Sequence, residues 1–382
     1  MGEAGRRFVV YGAGAIGGVL GARLHRAGHE VVLIARGAHL DAIRSGGLRV
    51  ESPYDTETAQ LPAVGDPSGI EWRRGDIVLL TMKSTDTADA VRALAGAADA
   101  QTPVFCVQNG VANEPTVLRQ FANVYGVHVM FPATYLTPGV VQAPSTPVTG
   151  ILDLGRYPSG VDDTAREVAE AFRSATFASE PRPDIMRRKY TKLLGNLGNA
   201  VDAVCTRGDG RDEVIDRLRA EGLAALDAAG IEYQSFEEDR ARRGDLLQVK
   251  PVNGQDRTGS SSWQSLARGT RTIEADYLNG EIVLLGRLHG VPTPANELAR
   301  QLANQAARAG SPPGLMSPEV FLARLDAVPD ASGQGPAPTG RDGAHSDRDG
   351  SDGTNGPVGA GTNDAVGEGT NDAAAEGVLP TR

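Results

Sequence analysis

Cysteine is almost absent from this chain. It has two, Cys106 and Cys205, far apart in sequence. They offer neither a metal-ligand spacing nor a disulfide framework, which points to a reducing cytosol and to no metal site. Long hydrophobic runs are also missing: nothing approaches the roughly 20 apolar residues of a membrane helix. Excess positive charge is missing as well. The 382 residues carry a formal net charge of −10, so no basic groove for nucleic acid is expected. That acidity is uneven, since residues 330–382 hold nine acids against Arg341, Arg348 and Arg382, a net −6 that leaves about −4 on the rest. A cleavable leader is not recognisable. The apolar stretch after Arg6-Arg7 is interrupted by Arg23, His25 and Arg26 without a cleavage site, and Arg6 spoils the myristoylation pattern begun by Met1-Gly2. A cytoplasmic protein without nucleic-acid or membrane partners is expected.

Glycine is plentiful, and its placement near the N-terminus organises the chain. Phe8 to Tyr11 reads as a short buried strand, Ile16 to Ala27 has a helical period, and Val31 to Ile34 is a second apolar run. Between strand and helix lies Gly12-Ala13-Gly14-Ala15-Ile16-Gly17, a G-x-G-x-x-G. Alone the motif is weak; inside a βαβ unit it is strong. Gly12 permits the tight turn, Gly14 admits a pyrophosphate to the backbone, and Gly17 lets helix and sheet pack closely. The helix N-terminus then presents unpaired N–H groups to the phosphates. This predicts an α/β, Rossmann-type dinucleotide-binding domain at the N-terminus.

The second strand ends in Ile34-Ala35-Arg36, with no acid before Asp41. An NAD site usually has a carboxylate there for the ribose 2′-hydroxyl, whereas an arginine can clamp a 2′-phosphate. NADP(H) is therefore the expected cofactor, the alternative being that Arg36 is an ordinary surface residue.

Residues 47–64 look like a small hairpin, and Asp76–Met82, Pro103–Val107 and Val124–Met130 like further buried strands. Lys83 and Asn109 follow two of these strands, where ligands of open α/β sheets sit. Each also has an ordinary reading, as a solvated loop lysine and as part of an Asn-Gly turn. A helix is expected over 162–176. A domain boundary is placed at Pro181–Pro183, giving an NADP-binding domain over 1–182 and an all-α domain over 183–328. Helices are expected from Asp184 to about Val204, 211–229, 237–247, from Ser260, 273–289, and from Thr293-Pro294 to about Ala309. On the first of them Lys192, Asn196 and Asn199 share a face beside the apolar stripe Leu193, Leu197, Val201 and Val204. Residues 329–382 lack hydrophobic periodicity and read as a disordered acidic tail.

A lysine and two amides on one helical ridge, opposite an NADP fold, suggest reduction of a carbonyl, with the lysine donating the proton. The chain resembles the ketopantoate reductase (2-dehydropantoate 2-reductase) family. The matching stretches are GAGAIG at 12–17, Arg36, MKSTDT at 82–87, QNG at 108–110, KLLGNLGN at 192–199, SSW at 261–263 and RTIEADYLNG at 271–280. The resemblance implies that Lys192 is the general acid and that Glu274 works beside it, touching substrate or cofactor. It implies that Asn109 lies between nicotinamide and substrate, and that Asn196 and Ser262 contact a small 2-keto acid, the serine facing its carboxylate; Asn199, on the same ridge, is a further candidate substrate contact. Lys83 and Tyr135 would lie near the cofactor. A homodimer is left open.

The chain departs from the family at Ala200, where an amide is common, and at Ile273, where threonine is usual. It also offers no clear counterpart to a loop asparagine near Arg207-Gly208-Asp209. These positions bear on substrate contacts, so a related reductase of another 2-keto acid or ketone is the rival reading. A non-catalytic NADP sensor is the rival outside enzymes, and it has no use for a proton donor.

Overall fold

The apolar runs that read as strands form the centre of the molecule. The structure, a computed structural model, describes residues 6–327. The acidic tail expected over 329–382 lies outside the described residues. In chain order the strands are β1 (Arg7–Tyr11), β2 (Glu30–Ile34), β3 (Leu48–Glu51), β4 (Thr56–Ala59), β5 (Ala63–Val64), β6 (Asp76–Leu80), β7 (Val104–Cys106), β8 (Val124–Met130), β9 (Thr134–Thr137), β10 (Val140–Gln142), β11 (Ser145–Pro147), β12 (Gly150–Arg156), β13 (Phe177–Ala178) and β14 (Leu247–Val249). The helices are α1 (Ala15–Arg26), α2 (Gly37–Gly46), α3 (Thr87–Ala95), α4 (Asn113–Leu118), α5 (Asp163–Ser174), α6 (Ile185–Asn196), α7 (Gly198–Val204), α8 (Arg211–Ala228), α9 (Phe236–Arg243), α10 (Ser261–Ala267), α11 (Asn279–His289), α12 (Pro294–Ala309) and α13 (Pro318–Asp326).

The main sheet has the order β13-β12-β8-β7-β6-β1-β2-β5. Its strands from β8 to β5 are parallel, and β12 runs antiparallel against β8. Every residue of β1 and β6 is buried, as expected of parallel strands covered on both faces. The chain leaves β1 for β2 on one side and comes back to β6 on the other. Such a reversal opens a crevice beyond the carboxyl ends of the strands, and it holds the loop after β1 and Thr81–Lys83 after β6. The hairpin expected at 47–64 is β3 against β4, extended into a four-stranded sheet by β10 and β9. Helix α5 has Asp162 as its N-cap, its carboxylate accepting from the Ala165 N–H at 2.9 Å.

From Ile185 to Asp326 the chain is mainly helical, with β14 and connecting loops between the helices. Leu193, Leu197, Val201 and Val204 are fully buried, together with Leu218, Ile282, Ala299 and Phe321. Each side chain of this size contributes about 1.5–3 kcal/mol when removed from water. Three expected helices are interrupted. The one over 184–204 breaks at Leu197, whose carbonyl accepts from Asn279 Nδ2 at 3.1 Å. The one over 237–247 stops at Gly244, which has φ of +42°, and Leu247–Val249 becomes a strand against β11. The one over 273–289 begins instead as a single 3₁₀ turn at Glu274–Tyr277, and regular helix resumes only at Asn279. Helical periodicity alone could not reveal these breaks, because each is set by a partner distant in sequence or by one backbone angle.

The start of α12 carries a further correction. The Thr293-Pro294 order reads as a cap, but Thr293 makes no capping bond. Glu221 of α8 accepts instead from the Ala295 and Asn296 N–H groups at 2.8 and 2.9 Å, and from Asn296 Nδ2. Asn296 also accepts from Asn279 and donates to the Leu218 carbonyl, so three helices share one polar knot. Glu221→Ala is expected to lower stability by about 1–3 kcal/mol, the cost of leaving buried donors unmet. Urea unfolding measures it, and a change near zero would show that water replaces the carboxylate.

No helix among the described residues is long and apolar enough to cross a membrane.

Candidate active site

The carboxyl ends of β1, β6 and β7 and the face of α6 bound a single cavity of about 930 Å³. Its floor is the loop after β1. Gly12 has φ of +106°, and a Cβ there would lie 2.8 Å from Met82 N. A Cβ on Gly14 would meet nothing within 4 Å, so that side of the loop is open to a ligand. A Cβ on Gly17 would fall 2.3 Å from Thr81 Oγ1 and 2.4 Å from the Gly12 carbonyl oxygen. Gly12, Ala13, Gly14, Ala15 and Ile16 line the cavity; Gly17 lies behind it and serves the helix–strand approach. Helix α1 has no side-chain cap and no acid in its first turn, so its terminal N–H groups remain available to an anion. Arg36 stands at the rim after β2 and forms no ion pair among the described residues. A turn, an open cradle and a bare helix terminus are the parts that a nicotinamide dinucleotide requires, and the residues present fit one.

His39 was not singled out from the sequence. Its Nδ1 accepts from the Gly139 N–H at 2.9 Å, which leaves Nε2 to donate to the Ala13 carbonyl at 2.6 Å. Burial pushes its pKa down, in keeping with this neutral tautomer. Its ring meets Tyr135 edge-on at 5.0 Å and braces it at the cavity wall. Nothing in the local pattern at position 39 announces this role, which depends on the chain returning at Gly139.

The loops after β6 and β7 are tied to each other. Gln108 Nε2 donates to the Met82 carbonyl at 2.9 Å and to Thr87 Oγ1 at 2.8 Å. Thr87 in turn donates to Asn113, and Asn113 Nδ2 donates to the Asn109 carbonyl at 3.0 Å. With its backbone held, the Asn109 side chain faces the cavity. Lys83 also reaches it, donating to Ser265 Oγ at 2.8 Å. Burial lowers the Lys83 pKa, and the nearby Glu274 carboxylate opposes the drop.

Helix α6 is placed by a buried ion pair that sequence reasoning missed. Lys189 Nζ lies 2.7 Å from Glu114 Oε1 and donates to the carbonyls of Gln108 at 2.9 Å and Val127 at 3.2 Å. Both side chains are essentially inaccessible. One turn further on, Lys192, Asn196 and Asn199 all face the cavity. Asn196 is buried, and its Nδ2 has no partner. A buried donor of this kind can bond an oxygen acceptor that enters the cavity.

Burial lowers the Lys192 pKa, the Arg243 and Arg257 charges lower it further, and Asp239 raises it. Glu274, which the resemblance sets beside Lys192, is not among the charges that act on it. The Glu274 carboxylate accepts from the Ser84 N–H at 3.0 Å and acts on Lys83, while Asp239 of α9 plays the balancing part at Lys192. Glu274 does line the same cavity. Ser262 is buried at the start of α10, and Ser260 and Ser261 line the cavity. Ser260 caps α10 by accepting from the Trp263 N–H, so the first helical turn faces the cavity at Ser261 and carries Ser262 about 100° away. Arg243, Arg257 and Arg268 complete the wall and were not anticipated.

Comparison with known proteins agrees with this geometry. The family model described as Ketopantoate reductase PanE/ApbA matches residues 8–158, and its companion, Ketopantoate reductase PanE/ApbA C terminal, matches residues 184–307. The 2-dehydropantoate 2-reductase of Halobacterium salinarum is 31% identical over 317 residues, covering 80% of this chain and 100% of that protein. That of Pyrococcus horikoshii is 28% identical, covering 76% and 94%. A crystal structure of a PanE/ApbA family ketopantoate reductase from Ralstonia eutropha superposes with a TM-score of 0.68 at 31% identity, covering 80% of this chain and 99% of that one. D-mandelate dehydrogenase, solved with NADH and anilino(oxo)acetate, shares the fold at a TM-score of 0.69 and 22% identity, covering 80% and 99%. The dinucleotide loop and the Lys192 helix thus fall in two matched segments in the family's own order, and the chain belongs to the ketopantoate reductase family of oxidoreductases.

Proposed function

We propose that the protein reduces 2-dehydropantoate (ketopantoate) to pantoate with NADPH, a step of pantothenate biosynthesis, and that Lys192 is its general acid. The observation that carries this reading is the placement of Lys192 and the unmet Asn196 Nδ2 in one cavity with the Gly12–Gly17 loop and Arg36. When bound, the cofactor supplies a hydride to the C2 carbonyl carbon. Lys192 delivers a proton to the carbonyl oxygen, so that no free alkoxide forms. Asn196 donates a hydrogen bond to the same oxygen and orients it, and Asn109 separates the nicotinamide pocket from the substrate. Lys83, Tyr135 and Glu274 border the cofactor, and Asn199 borders the substrate. The α/β portion up to residue 182 holds the cofactor, and the helical portion over 183–328 supplies the proton donor.

Initial rates of NADPH oxidation with ketopantoate and with a panel of other 2-keto acids test the assignment. The highest kcat/KM is expected for ketopantoate, and a better substrate elsewhere in the panel would overturn it. The second reading, another 2-keto acid, is favoured by Ala200 and Ile273, which stand where the family commonly has polar side chains.

Arg36 sets the cofactor preference in this account. A guanidinium pairs with a 2′-phosphate, whereas an aspartate there repels it. The wild type is expected to favour NADPH over NADH by at least tenfold in kcat/KM, and Arg36→Asp to erase or reverse that preference, at about 1.4 kcal/mol per factor of ten. Equal turnover with both cofactors in the wild type would contradict it.

A further inference from the structure

A 2-keto acid brings a carboxylate into the cavity, and a cation on the cavity wall would hold it. The loop between β14 and α10 brings Arg257 into the cavity that contains Lys192 and Asn196. Its guanidinium makes one hydrogen bond, from Nη1 to the Gly259 carbonyl at 3.1 Å, while its Nε is buried without a partner. No carboxylate forms an ion pair with it among the described residues. The acid whose charge acts on it, Asp202, is already engaged: Oδ2 accepts from the Ser260 N–H at 2.7 Å, and Oδ1 lies 3.6 Å from Arg211. That engagement also fixes the loop that carries Arg257.

An arginine stays charged at any working pH, and a partly desolvated charge without a counter-ion costs free energy that an incoming anion recovers. Its position suits a 2-keto acid, whose carboxylate carbon is bonded directly to the carbon that accepts hydride. An anion site for such a substrate must therefore flank the proton donor, and the Arg257 charge is close enough to act on Lys192.

We propose that Arg257 anchors the substrate's carboxylate, holding the adjacent keto group at Lys192 and Asn196, and that the site is selective for 2-keto acids over neutral ketones. This rests on the reductase reading above.

The test measures NADPH-dependent reduction of the keto acid and of its neutral methyl ester by the full chain, as wild type, Arg257→Gln and Arg257→Lys. A charge-assisted bond lost at this site raises KM for the acid by about 10- to 100-fold. Arg257→Gln should show that rise while KM for the ester changes less than threefold, and Arg257→Lys should recover part of the loss. NADPH affinity, read by fluorescence, should stay at the wild-type value and report an intact fold. An acid KM within twofold of wild type, or equal losses with acid and ester, overturns the proposal alone. A wild type that reduces no 2-keto acid overturns the reductase reading and the proposal with it.

Discussion

Lys192→Ala is expected to lower saturated turnover by about 10²–10⁴-fold, the usual contribution of a positioned general acid, and to leave NADPH affinity nearly unchanged. The cofactor is held by the Gly12–Gly17 loop and Arg36, which lie on other elements of the cavity wall. The kinetic pattern separates this role from simple attraction of an anion. A lysine that only attracts the substrate would raise KM and spare kcat. The pH profile gives a second check. A general acid must be protonated, so kcat/KM falls as pH rises through the Lys192 pKa. Burial and the neighbouring arginines put that pKa below 10.5, and Asp239 holds it up. The alkaline limb should therefore lie below that of an ordinary lysine, and Asp239→Asn should move it to still lower pH. An unmoved limb in Asp239→Asn would break the assigned link between the two groups.

Glu114→Gln is expected to destabilise the protein by about 3–5 kcal/mol, the cost of leaving one partner of a buried ion pair uncompensated. Lys189 Nζ would keep its two carbonyl acceptors and lose the opposite charge at 2.7 Å, with both side chains cut off from water. The paired change Lys189→Met with Glu114→Leu should recover most of that loss, because apolar packing of similar volume commonly matches a buried pair. Urea unfolding of the three variants measures it. A loss below about 1 kcal/mol in Glu114→Gln would mean that water enters the site. The paired variant should nevertheless turn over more slowly, since Lys189 ties the Gln108 carbonyl, next to Asn109, to the helix that carries Lys192.

The cofactor half of the site was legible in the sequence for a physical reason. The functions of Gly12, Gly14 and Gly17 are backbone functions, set by φ and by the absence of Cβ, and the β–turn–α context lies within about 30 residues. The ridge of Lys192, Asn196 and Asn199 was legible because helical geometry alone puts these residues on one face, and the break at Leu197 did not rotate Asn199 away. The charges around Lys192 were not. Asp239, Arg243 and Arg257 come from α9 and the loop after β14, and no local pattern tells which acid faces a given lysine. For the same reason the sequence does not tell that Glu274 acts on Lys83 while Asp239 balances Lys192, or that the cap at Ser260 turns Ser261 to the cavity. The Lys189–Glu114 pair was hidden by its spacing: a charged residue on a helix reads as solvated until a strand and a second helix close over it.

Transfer of deuterium from the cofactor tests the central claim most directly. NADPH doubly deuterated at C4 of the nicotinamide is incubated with ketopantoate and the full chain, and the product is examined by mass spectrometry. The account predicts pantoate carrying one deuterium at C2, formed by the wild type and at least 100-fold more slowly by Lys192→Ala. Unlabelled product, no product, or equal rates in the two proteins would contradict it.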